Sequence, residues 1–163
     1  MRNSLHTIFS FTVLLFMLAG MAGCSGEDCP INNTVTGKMQ FYNQLGDAVA
    51  INGTLSVNVV RPQGDSVVLN QLYNASTIPF PLSYTHLTDT LIFEYNRGAA
   101  YDTLYISHTN TPTLVSIECG TAMFHTITAA HSTHHVIDTL IIQSAKVDYD
   151  ERENIQVIYR TDN

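Results

Sequence analysis

Thr54-Leu55-Ser56-Val57-Asn58-Val59-Val60 puts Leu55, Val57 and Val59 on one side, polar residues on the other, and stops at the turn cluster Pro62-Gln63-Gly64-Asp65. A two-residue period rich in β-branched side chains marks a half-buried strand, because successive side chains leave a pleated ribbon on opposite faces. Working outward, Val35 to Tyr42 alternates in the same way and ends at Asn43-Gln44-Leu45-Gly46-Asp47. Ser66 to Asn70 and Pro81-Leu82-Ser83-Tyr84 are shorter candidates. Pro79 and Pro81 point to a sheet edge, since proline cannot donate to a ladder. Asp89-Thr90-Leu91, Asp102-Thr103-Leu104 and Asp138-Thr139-Leu140 repeat one opening. Aspartate suits turns better than strands, so these read as three strands launched from similar turns. A calcium ring of the three carboxylates is the alternative, against which stands the need for six or more oxygens. Thr113 to Cys119 and Ala122 to Ile127 flank Gly120-Thr121 as a tight turn, and Thr128 to Val136 reads as a loop. Asp138 to Val147 and Asn154 to Tyr159 are joined by the charged loop Tyr149 to Glu153. Eight or nine strands with no helix predict an all-β antiparallel sandwich, Ig-like or transthyretin-like, although a small barrel shares the pattern.

The N-terminus reads differently. Arg2, the apolar run Ile8 to Ala19 and the small-residue approach Gly20-Met21-Ala22-Gly23 have the layout of an export signal, too short to span a bilayer. Ala-Gly before Cys24 resembles the bacterial lipobox, with Met21 where leucine is usual. Cleavage there makes residues 1–23 a signal peptide, residues 24–34 a lipid-anchored tether and residues 35–163 a single β-sandwich domain. Ordinary secretion, with Cys24 a spare thiol, is the competing reading. The mature chain carries six Lys+Arg against 14 Asp+Glu, 6 − 14 = −8, a balance that repels nucleic acid and anionic headgroups. Membrane attachment therefore falls to acyl chains on Cys24. Cys29 and Cys119 remain, and a pair in an exported chain reads as a disulfide, or else as two buried thiols that never meet.

Several short elements together are similar to a family of small Bacteroidota lipoproteins known only as a domain of unknown function. They are Cys29 soon after Cys24, Phe41-Tyr42, Pro81-Leu82, Asp89-Thr90-Leu91 with Tyr95, and Asp102 with Leu104. Ser116-Ile117-Glu118-Cys119-Gly120 is the most specific, and Ile137-Asp138, Val147 and Asn154-Ile155 complete the set. The resemblance implies a lipid-anchored β domain with a Cys29–Cys119 pair and brings no catalytic residues. Glu27-Asp28 is also similar to a signal that sends some lipoproteins of that group to the cell surface.

The candidate chemistry is histidine. His125, His131, His134 and His135 could converge on Zn²⁺ or Cu²⁺, with Asp138 as a further ligand, although no His-Glu-x-x-His or Cys-x-x-Cys spacing accompanies them. His86 and His108 stand alone and read as packing or surface residues. Ser116 or Ser132 with a histidine and Asp138 would be a hydrolase triad, but without a nucleophile elbow such combinations arise by composition alone. Glu94 and Glu118 sit alone, which argues against paired-carboxylate glycosidic chemistry. Tyr73, Tyr84, Tyr101 and Tyr105 could form a sugar platform, or be half-buried on the sheets with wet hydroxyls. The expectation is therefore a non-enzymatic accessory or binding domain, lipid-anchored at the outer membrane on its periplasmic or surface side, with an envelope protein as partner. A metal-binding lipoprotein is the runner-up and a glycan-binding module a weaker third.

Overall fold

Burial alternates residue by residue where the apolar period does, and two sheets result. The structure, a computed structural model, describes Cys29, residues 34–62 and residues 64–160. The signal segment, Cys24 and the tether other than Cys29 and Thr34 lie outside the described residues. Ten strands follow in order: β1 Thr36–Tyr42, β2 Thr54–Val60, β3 Ser66–Tyr73, β4 Thr77–Pro81, β5 Thr88–Tyr95, β6 Ala100–Ser116, β7 Gly120–Ser132, β8 Ile137–Ile142, β9 Lys146–Val147 and β10 Ile155–Tyr159. One sheet runs β4-β1-β10-β8 and the other β3-β2-β5-β6-β7-β9, together an all-β sandwich.

The layers meet through their inward residues. Met39, Phe41, Ile78, Phe80, Ile155 and Val157 of one sheet and Leu55, Val57, Leu91, Phe93, Leu104 and Ile106 of the other are fully buried. Each such side chain contributes about 1.5–3 kcal/mol by leaving water. Phe41 meets Phe93 edge-on across the layers, centroids 6.4 Å apart. Gly37 is small because the Phe80 ring of the neighbouring β4 lies over it, and a Cβ there would come within 2.2 Å of the ring.

Several expectations are corrected. The pairing is antiparallel except between β1 and β10, which run parallel with Met39 opposite Ile155. A parallel neighbour requires a crossover, and here the whole second sheet lies between the two strands in sequence. Asp102 to Ile106 and Thr113 to Cys119 are not separate strands but parts of the 17-residue β6. Threonines 109, 111 and 113 carry the pleat between them. Pro112 is tolerated because of where its nitrogen points. His108 donates its N–H to Leu87 O, and by two-residue alternation Pro112 turns to that same side, where the ladder with β5 has already ended at Ser107. β7 runs on to Ser132, so Thr128 to Ser132 are strand and the loop shrinks to residues 133–136. β4 precedes the stretch 82–84, which instead crosses between the sheets. Asp89, Asp102 and Asp138 stand in the ladders of β5, β6 and β8 rather than in launching turns.

Candidate functional site

The same parity that buries Leu91 and Phe93 buries Asp89, and that of Leu104 and Ile106 buries Asp102 and His108. A bulge opposite Ser107 and His108 resets β7 so that Ile127 and His125 also face inward. Polar groups thus close both ends of the sandwich.

At the end where β1 begins, Asp89 accepts the Ser83 N–H at 2.7 Å and pairs with the Arg61 guanidinium. Its Oδ2 also lies 2.9 Å from His108 Nε2. His108 Nδ1 is 2.8 Å from Asn110 Oδ1, and His125 Nδ1 is 2.7 Å from the same oxygen. The Asn110 Nδ2 donates to His86 O at 3.1 Å, which fixes the amide and leaves Oδ1 as the acceptor for both rings. Both nitrogens of His108 therefore face acceptor oxygens. Arg61 reaches solvent in a depression of about 520 Å³ shared with Val35, Leu82 and Tyr84.

His125 is the opposite case. Burial, and then electrostatic repulsion from His108 with ring centroid 5.2 Å away, push its pKa down to about 4, while Asp89 pulls the other way. Tyr84 stacks on its outer face at 5.7 Å, and its Nε2 is buried with no hydrogen-bond partner among the described residues. An unfolded histidine titrates near 6.5. A folded value below that means the stability His125 contributes is complete above about 6.5 and is lost as pH falls towards 4. A pH series of urea unfolding should show that decline, and His125→Gln should flatten it.

At the other end Asp102 is a structural anion. It accepts Thr133 Oγ1 at 2.8 Å and the N–H groups of His135, Val136 and Ile137 at 2.8 to 2.9 Å. It thereby organises the loop between β7 and β8.

The four histidines named from sequence are not brought together. His125 and His131 lie six positions apart on β7, roughly 20 Å at the strand rise of about 3.3 Å per residue. His131 sits opposite Tyr105 and is exposed. His134 and His135 occupy the loop that Asp102 holds, while Asp138 faces Arg160 at 3.4 Å. Among the described residues no group of three or more His, Cys, Asp or Glu is placed to hold a metal ion. That removes the geometric basis for both the zinc or copper reading and the calcium ring. Ser116 Oγ accepts from Cys119 N at 3.0 Å. Among the described residues a serine–histidine contact is made by Ser83 with His86 at 3.1 Å, inside a turn whose N–H groups at 85 and 86 also donate to Ser83 Oγ. Tyr84, Tyr101 and Tyr105 are about half-buried, at 43–49% exposure, whereas Tyr73 is mostly exposed at 65%. Cys29 and Cys119 do form a disulfide, Cα atoms 5.3 Å apart. Asp89, Arg61 and His108 are the site residues that sequence reading missed.

The second feature is an edge. Among the described residues the sheets end on β4, β8, β3 and β9. β4 carries Pro79 and Pro81, β8 carries the ion-paired Asp138, and β9 is two residues long. These are ordinary ways of blunting an edge. β3 has eight residues, no charge and no proline, and exposes Val67 at 64% and Tyr73 at 65%. Only irregular register against β2 interrupts it.

A family model described as a family of unknown function, DUF6452, matches residues 54–159, from β2 to the end of β10. No curated protein and no solved structure matches the chain.

Proposed function

The chain belongs to the DUF6452 family of unknown function, and from that premise we propose that it is a lipid-anchored accessory domain docking onto another envelope protein, without catalysis of its own. Acyl chains on Cys24 hold it at the outer membrane of a Gram-negative bacterium, on the periplasmic or surface side. Its lipobox and signal-like N-terminus support the anchor. The open, uncharged β3 edge carries the docking half of the reading. An extended partner segment added there gains main-chain hydrogen bonds, while pockets beside alternate side chains supply selectivity.

Crosslinking the lipidated protein in intact cells should recover one recurrent envelope partner in near-stoichiometric amount. Val67→Lys combined with Leu72→Lys alters two exposed β3 positions and should abolish that recovery while moving stability by no more than about 0.5 kcal/mol each. Failure to recover a partner, or recovery undiminished in the variant, removes the docking site. Cys24→Ala should release the protein from membranes; membrane association that persists removes the anchor.

A further inference from the structure

The hairpin of β6 and β7 runs past β5, whose first residue lies opposite Ser107, and past β9, which pairs with His125 and Thr126, while β6 continues to Ser116. At its tip Ile117 is 95% exposed and Leu114 66% exposed. Residues 109–126 contain one charged side chain, Glu118, in a chain with 21 Lys, Arg, Asp and Glu in total. Isoleucine and leucine this exposed on a nearly uncharged projection are costly in water and suited to a boundary with hydrocarbon.

What covers the tip is indicated by the bond beside it. Cys119 is joined to Cys29 with Cα atoms 5.3 Å apart, and Cys29 lies five positions after Cys24. Five extended steps span at most roughly 17 Å. We infer that the 114–118 hairpin tip is a membrane-contacting element, inserting Leu114 and Ile117 into the interface of the bilayer that holds the acyl chains. The inference rests on the proposed acylation of Cys24. The acidic balance of the chain, −7 overall, gives the surface no electrostatic pull on anionic headgroups, so contact depends on the anchor and on apolar burial. The anchor keeps the tip at the surface continuously, and insertion costs no separate search. It also fixes orientation: the end holding Asp89 and His108 faces the membrane, and the turn at residues 43–47 faces away.

The chain has no tryptophan, so a single introduced indole reports its own surroundings. Lipidated full-length protein carrying Ile117→Trp, or separately Leu114→Trp, is reconstituted into phosphatidylethanolamine–phosphatidylcholine vesicles, with and without bromine on the acyl chains. The expected result is a blue-shifted emission that the brominated chains quench. Leu45→Trp, on the turn at the opposite end and 89% exposed, should keep its emission. A tip indole that stays water-exposed overturns the inference, as does one that shifts blue without bromine quenching, because its cover is then protein, either a partner or a second copy. Mass spectrometry of the N-terminal peptide tests acylation separately. An acylated protein with an unquenched tip defeats the insertion and leaves the anchor standing.

Discussion

Asp89→Ala is expected to cost about 3–5 kcal/mol, the usual penalty for stripping one partner from a buried charge pair. Asp89 is 1% exposed and faces Arg61, His108 and the Ser83 N–H. Removing the carboxylate leaves the buried Nε2 of His108 and the Arg61 guanidinium without the acceptor they share. It also frees the 82–87 crossing, whose position relative to β5 depends on the Ser83 hydrogen bond. The Asn110 bridge between His108 and His125 would lose the neighbour that positions the His108 ring. Asp89→Asn keeps the volume but removes the charge that faces the Arg61 guanidinium, so it should recover only part of the loss. Arg160→Ala is the control: its pair with Asp138 lies at the surface at 3.4 Å and should be worth under about 1 kcal/mol. Urea unfolding of the three variants checks this. A loss below about 1 kcal/mol for Asp89→Ala would show that the cluster is solvated and not a buried pair.

That cluster also shows what the residues alone made legible. Period-two alternation in Thr54–Val60 and its neighbours pointed to an antiparallel all-β fold, because each strand's buried face is a local property, but it left a sandwich and a small barrel both open. The same parity, applied to Asp89-Leu91-Phe93 and to Leu104-Ile106-His108, places Asp89 and His108 inside. The general preference of aspartate for turns pointed the other way. What decides between them is whether partners arrive, and Arg61 and His108 lie 28 and 19 positions from Asp89. Such separations leave no trace in a local window. The parallel β1–β10 pair was hidden for the same reason, since the chain closes the sheet only after every other strand is placed. The histidine group misled in reverse: residues close in sequence are drawn apart along an extended strand. His125, grouped by sequence with the histidines that follow it, proves to belong with the isolated His108.

Reducing the Cys29–Cys119 bond should have a comparable effect by a different route. The bond closes a 90-position separation, for which chain-entropy arithmetic gives a stabilisation of about 4–5 kcal/mol by restricting the unfolded chain. In a domain of this size that corresponds to a fall in melting temperature of roughly 10–15 °C. One contribution opposes it. Cys119 sits at the far end of the β6–β7 projection, and the bond ties Cys29 to that tip rather than to the core. Once it is cut, the N-terminal segment and the tip gain freedom in the folded state as well, which offsets part of the entropy released on unfolding. Thermal unfolding with and without reductant, repeated on Cys29→Ala with Cys119→Ala, measures the balance. A drop near the full value means the tip is held rigidly by the β6–β7 ladder even without the bond. An unchanged midpoint means the tip already separates before the sandwich melts. In that case the bond bears on the proposed anchor alone: it ties Cys29, five positions after the proposed acylation site Cys24, to the hairpin, and under that proposal reduction would leave the domain folded but free to turn away from the membrane.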